Sequence, residues 1–152
     1  MVLDLYAELR QVVAALDSAG IVYALAGGLA VAIYATPRAT QDIDLLVARE
    51  HLDSAIARLE RLGYKRAGVP MQVAGGRLTI QRLIKIEGSD LLPVDLLVPN
   101  DSDLGQVLTD RRGIEWEGLA ISVVSATGLR RLKRLRGSAQ DLADLEALGP
   151  ES

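Results

Sequence analysis

Residues 22–47 read VYALAGGLAVAIYATPRATQDIDLLV. Ile21 to Ala26 forms a short apolar run that suits a buried strand, and the pair Gly27-Gly28 breaks it. Leu29 to Tyr34 then suits a short helix, which Pro37 must end, and Asp42 to Val47 is a second strand. In that strand the period of two places Asp42, Asp44 and Leu46 on one face and Ile43, Leu45 and Val47 on the other. The two carboxylates are then roughly 6.5 Å apart at Cα, within reach of one divalent ion or a pair of ions. Like charges at this range raise each other's pKa, and burying them unpaired is costly. Mg²⁺, which prefers oxygen ligands, is the natural compensation.

The D-x-D pattern alone is weak, because 12 Asp in 152 residues give about one by chance. A second copy, Asp101 and Asp103, lies in Pro99-Asn100-Asp101-Ser102-Asp103 and reads as turn and helix cap. Asp95 is different, being a single carboxylate inside the apolar run Val94 to Val98. Taken alone it suits an edge strand or the mouth of a sheet. If its strand neighbours that of Asp44, three carboxylates converge as a two-metal phosphoryl-transfer site requires. Gly27-Gly28 is either a tight turn or a place where backbone N–H groups at a helix start approach a phosphate. It matches neither G-x-G-x-x-G nor a Lys-bearing P-loop, which argues against a dinucleotide fold and an ordinary P-loop ATPase.

Outward from this stretch, Leu5, Leu9, Val12, Val13 and Leu16 mark a first helix stopping at Gly20, and Leu52, Ile56, Leu59 and Leu62 another stopping at Gly63. Strand signals follow at 64–69, 78–86, 94–98 and 119–124. Two C-terminal helices, 126–135 and 139–148, finish the chain, the second opening with Ser138 and Asp141 in capping spacing. The expectation is one domain over 1–152, α/β or α+β, with a mixed sheet flanked by helices.

Composition narrows the chemistry. The net charge of −3 excludes a generally basic nucleic-acid coat, and five aromatic residues make a base-stacking platform improbable. Without Cys and with one His, disulfide scaffolds, zinc sites, Cys nucleophiles and a Ser-His-Asp triad lose their support. Carboxylates must carry any chemistry. The N-terminus has no basic leader and no apolar run nears the roughly 20 residues of a membrane helix, so a cytoplasmic protein without membrane partners is expected. Five of 17 cations fall between Arg130 and Arg136, on a helix whose Leu129, Leu132 and Leu135 form a packing stripe. Most read as a solvated face, with Lys133 and one Arg as candidates for phosphate or RNA.

The stretch 27–47, a glycine pair followed by D-x-D on a strand, resembles the signature of the DNA polymerase β-like nucleotidyltransferase superfamily. More narrowly it resembles minimal nucleotidyltransferases and AbiEii-type nucleotidyltransferase toxins, with supporting matches at 94–98 and 129–148. The resemblance implies a nucleotidyltransferase-like fold and Mg²⁺-dependent transfer of NMP from an NTP to an acceptor hydroxyl, with pyrophosphate leaving. Asp42 and Asp44 would bind both ions; Asp95 would bind the catalytic one and help deprotonate the acceptor. Gly27 and Gly28 would hold the triphosphate through backbone donors, the Ser that the family often has at the second position being absent. Arg38, which otherwise pairs with Asp42 or another acid, counts with Thr40 and Lys133 as nucleotide-binding. One of Asp141 and Asp144 would orient Lys133 or the substrate. The acceptor is tRNA, a protein or a small molecule, and a cognate antitoxin is an expected partner. A catalytically silent module that binds nucleotide or a partner protein is the alternative.

Overall fold

The computed structural model describes residues 3–35 and 40–150. Arg38 lies outside the described residues. The elements run α1 (Leu5–Ser18), β1 (Tyr23–Ala26), α2 (Gly27–Tyr34), β2 (Ile43–Val47), a 3₁₀ turn (Arg49–His51), α3 (Leu52–Arg61), β3 (Lys65–Arg66), β4 (Met71–Val73), β5 (Leu78–Glu87), β6 (Asp90–Pro99), α4 (Ser102–Thr109), β7 (Arg112–Trp116), β8 (Leu119–Val123), α5 (Ala126–Arg136) and α6 (Ala139–Leu148).

Among the described residues the strands form one eight-stranded mixed sheet in the order β3-β5-β6-β2-β1-β8-β7, with β4 also on β5. The β2·β6 and β1·β8 pairs are parallel; the rest are antiparallel. The central strands are apolar on both faces, as strands covered by helices must be. All of β1 is buried, as are Leu45, Leu46 and Val47 of β2 and Leu96, Leu97 and Val98 of β6. Leu9, Val12, Val13 and Leu16 supply the buried stripe of α1, which ends before Gly20 at a φ of +68°. A buried Glu8 on this helix accepts hydrogen bonds from the Tyr64 hydroxyl (3.0 Å) and from Lys85 Nζ of β5 (2.8 Å). The apolar contact of helix and sheet is thus closed by a satisfied polar pin.

Several boundaries differ from the sequence expectation, for physical reasons. The α2 helix begins at Gly27, not Leu29, because the left-handed φ of Gly27 (+66°) turns the chain from strand to helix without a loop. The β6 strand starts at Asp90 despite Pro93. Its ladder with β2 begins at Ile43↔Val94, so Pro93 lies one residue beyond that ladder and its missing N–H costs no bond there. The expected strand 64–69 shrinks to two residues. The β7·β8 hairpin closes through Glu117-Gly118, both at positive φ, a turn without the Asn-Gly or Asp-Gly signal that would advertise it. Asp101 caps α4, its carboxylate accepting from Leu104 N–H at 2.7 Å.

Candidate active site

The three aspartates come together through register. Antiparallel pairing sets Ala26 against Asp44, parallel pairing sets Asp44 against Asp95, and the β5·β6 hairpin sets Asp95 against Arg82. Directly paired residues project to the same face with Cβ atoms about 5 Å apart. Asp44, Asp95 and Arg82 therefore form one row across three strands, with Asp42 two residues before Asp44.

The row ends against the glycine turn. A Cβ on Gly27 would lie 1.9 Å from Asp44 Oδ2, so the carboxylate occupies the space that any side chain there would fill. Ala26, the N-cap of α2, makes no side-chain capping bond. The start of this helix thus abuts Asp44 at the edge of the carboxylate row.

Burial, then the charges of Asp95 and Asp42, push the Asp44 carboxyl up to about 6 against the opposing pull of Arg136 and Lys133. Arg82 grips Asp95 with a fork, Nε to Oδ1 at 2.8 Å and Nη2 to Oδ2 at 2.9 Å, while Nη2 also stands 3.9 Å from Asp42 Oδ2. These carboxylates in turn raise the Arg82 guanidinium pKa, the Asp95 hydrogen bonds most of all.

A cleft of about 340 Å³ opens beside the row. Gly28, Thr40, Asp42 and Asp44 line one side, and Lys133, Arg136 and Asp141 the other. Lys133 is buried between α5 and α6, its ammonium 2.9 Å from Asp144 Oδ2 and 3.3 Å from Asp141 Oδ1. Asp141 also completes the capping box with Ser138. Burial raises its carboxyl pKa, but hydrogen bonds from the Ser138 hydroxyl and N–H, with the charges of Lys133 and Arg136, outweigh that and hold it below the usual range. Larger cavities exist elsewhere, one of about 520 Å³ around Ser125, Thr127 and Arg131, but it contains none of the expected site residues.

Gly28, Thr40, Asp42, Asp44 and Lys133 thus share one cleft, with Gly27 packed behind Asp44. Asp95 is in the row but turned to Arg82. The basic helix departs from the expected solvated face only at Arg130, which binds the carbonyls of Leu148 and Gly149 at the end of α6, and at Arg131, which pairs with Asp103 of α4; Arg134 and Arg136 are exposed, and Lys133, expected to stand apart from that face, is enclosed. Sequence reasoning passed over Arg82. A signal existed: the turn at Gly88-Ser89 fixes the hairpin register that puts Arg82 opposite Asp95.

Oxygen-only donors and crowded negative charge suit Mg²⁺, and the raised Asp44 pKa marks charge that a cation would relieve. Among the described residues, however, no three His, Cys, Asp or Glu side chains close around one point as a ready-made metal cage.

The mixed sheet, with Asp44 on a central strand, Asp42 just before it, a glycine turn at its side and a third carboxylate in register, fits the nucleotidyltransferase resemblance read from the sequence. The family model described as "Uncharacterised nucleotidyltransferase" matches residues 2–115, and the chain belongs to that family. No curated protein matches it in sequence. Its fold is similar to that of TM1012 from Thermotoga maritima, a protein assigned as a nucleotidyltransferase, at 15% identity and a TM-score of 0.65, over 96% of this chain and 93% of that one. It is also similar to ANT(2")-Ia in complex with adenylyl-2"-tobramycin (14%, TM-score 0.65, 93% and 86%). The lincosamide adenylyltransferase LnuA with bound lincomycin is a third such structure (16%, TM-score 0.58, 97% and 99%).

Proposed function

We propose that this nucleotidyltransferase is Mg²⁺-dependent and transfers a nucleoside monophosphate from an NTP to an acceptor hydroxyl. The observation that carries the reading is the shared row of Asp44 and Asp95, with Asp42 and Asp44 also lining the cleft beside it. The acceptor oxygen attacks the α-phosphorus, the bond to the β-phosphate oxygen breaks, and pyrophosphate leaves. Asp95 accepts the acceptor proton. Gly28 and the first N–H groups of α2 hold phosphate oxygens, and Arg136 offsets their charge from the opposite wall. Lys133, held by Asp141 and Asp144, fixes the shape of that wall. What a divalent ion supplies to Asp42, Asp44 and Asp95 is positive charge for the triphosphate and for the attacking and leaving oxygens.

Three of the five cations of α5 make internal contacts, which narrows the basic face open to an RNA backbone and favours a small-molecule or protein hydroxyl as acceptor. The antibiotic ligands of ANT(2")-Ia and LnuA make small alcohols the first class to try. Transfer from α-labelled NTPs to aminoglycosides, lincosamides, a protein panel and bulk tRNA is the test. Wild type should label one of them, while Asp42→Asn and Asp44→Asn lose at least 10²-fold with the fold intact; equal labelling by all three proteins refutes the reading. A toxin role with a cognate antitoxin is the use suggested by the AbiEii-like pattern. Its expected signature is growth arrest on induction of wild type and none with Asp44→Asn.

One observation favours the silent-module reading: the third carboxylate is engaged by Arg82, and no metal cage is preformed among the described residues. Calorimetric NTP binding without pyrophosphate release on any acceptor would establish that alternative.

A further inference from the structure

Arg82 is half-exposed, yet its fork takes both oxygens of Asp95, whose side chain is only 10% exposed. A carboxylate engaged side-on by a guanidinium gives up the lone pairs that face the fork, which are those best placed for a metal ion. The same Nη2 stands 3.9 Å from Asp42 Oδ2, so one cation spans the first D-x-D carboxylate and the β6 carboxylate. Arg82 stands where charge balance calls for a cation.

We propose that Arg82 is the resident counter-ion of this site: it positions Asp95 and must release it before Asp95 can share a divalent ion with Asp42 and Asp44. The inference rests on the metal-dependent reading above. The exchange trades a monovalent cation at the carboxylates for a divalent one. It is mechanically open as well, because the Arg82 side chain is 46% exposed and can swing into solvent on its flexible stem while Asp95 stays in the sheet. Arg82 is thus a positioning residue for the general base. A mere brace between β5 and β6 would behave oppositely, since its loss would disorder Asp95 and weaken metal binding.

The test is Mn²⁺ binding without nucleotide, measured from the free-ion electron paramagnetic resonance signal at pH 8.5, where proton competition is small. Wild type, Arg82→Met, Arg82→Lys and Asp44→Asn are compared. Arg82→Met should bind on the order of tenfold more tightly, the change that one hydrogen-bonded charged contact represents. Arg82→Lys, which keeps the charge but cannot fork, should fall between. Binding by Arg82→Met that is unchanged or weaker in a folded protein overturns the proposal while leaving metal dependence standing. Absence of binding in wild type and Arg82→Met alike, matching Asp44→Asn, overturns metal dependence and this proposal with it. A second readout uses the wild type alone: the ¹⁵N-detected Arg82 Nε–H resonance should shift and exchange faster with water at saturating Mg²⁺. An unmoved resonance with the metal bound also overturns it.

Discussion

Replacing Gly27 by Ala tests the link between the glycine turn and the carboxylate row. Two costs add. A Cβ at a φ of +66° costs about 1–2 kcal/mol for an L residue. That Cβ would also lie 1.9 Å from Asp44 Oδ2, 2.7 Å from Cγ and 2.9 Å from Cβ, an overlap that must displace the carboxylate or the start of α2 at about 1–3 kcal/mol. The total, about 2–5 kcal/mol, should lower Tm by roughly 10 °C in a chain of this size. Only the first cost is independent of Asp44. In an Asp44→Gly background the three clashing atoms are gone, so Gly27→Ala should cost about 1–2 kcal/mol there. Urea denaturation of the wild type, both single variants and the double variant closes the cycle, with an expected coupling of about 1–3 kcal/mol. An equal cost in both backgrounds refutes the claim that Gly27 is required by the carboxylate, leaving only backbone conformation as its reason.

Because the native Asp44 carboxyl titrates at about 6 rather than 3.8, the folded protein holds a proton that the unfolded chain has already lost between those values. This group's contribution is therefore most favourable below about pH 4 and falls as pH rises to about 6, by about 3 kcal/mol at most. In EDTA, Asp44→Asn should melt above wild type at pH 7 and lose less stability from pH 4 to 7; parallel pH profiles refute this. Lys133→Met leaves Asp141 and Asp144 buried without their shared cation and should cost about 3–5 kcal/mol by urea denaturation. A loss below about 1 kcal/mol would mean that the pair of aspartates is otherwise compensated.

Features that depend on a few consecutive residues were readable in advance. Alternation in Asp42 to Val47 and the spacing of Leu9, Val12, Val13 and Leu16 each follow from the geometry of one element. Ser138 with Asp141 does announce the start of α6, and Asp101 the start of α4. In the β7·β8 hairpin the sequence showed β8, but β7 was illegible because Glu117-Gly118 carries a weak turn signal. The basic helix misled for another reason. Arg130 and Arg131 look like part of a solvated face until acceptors from α6 and α4, folded back or distant in sequence, are placed beside them.

By itself, then, the sequence determined an apolar strand with Asp44 in it and Asp42 at its entry, one residue shorter than expected, a glycine turn ahead of a helix, and a third carboxylate strand, because periodicity and turn chemistry act within a few residues. Only the tertiary structure decided that Asp95 stands beside Asp44 and that Asp95 is held by Arg82. The parallel β2·β6 pairing joins residues about fifty apart in the chain, and such pairings are selected by burial of both sheet faces across the whole domain. Arg82 is the intermediate case. Its place opposite Asp95 follows from a tight hairpin, but its grip on a catalytic candidate acquires meaning only once β6 is seated against β2.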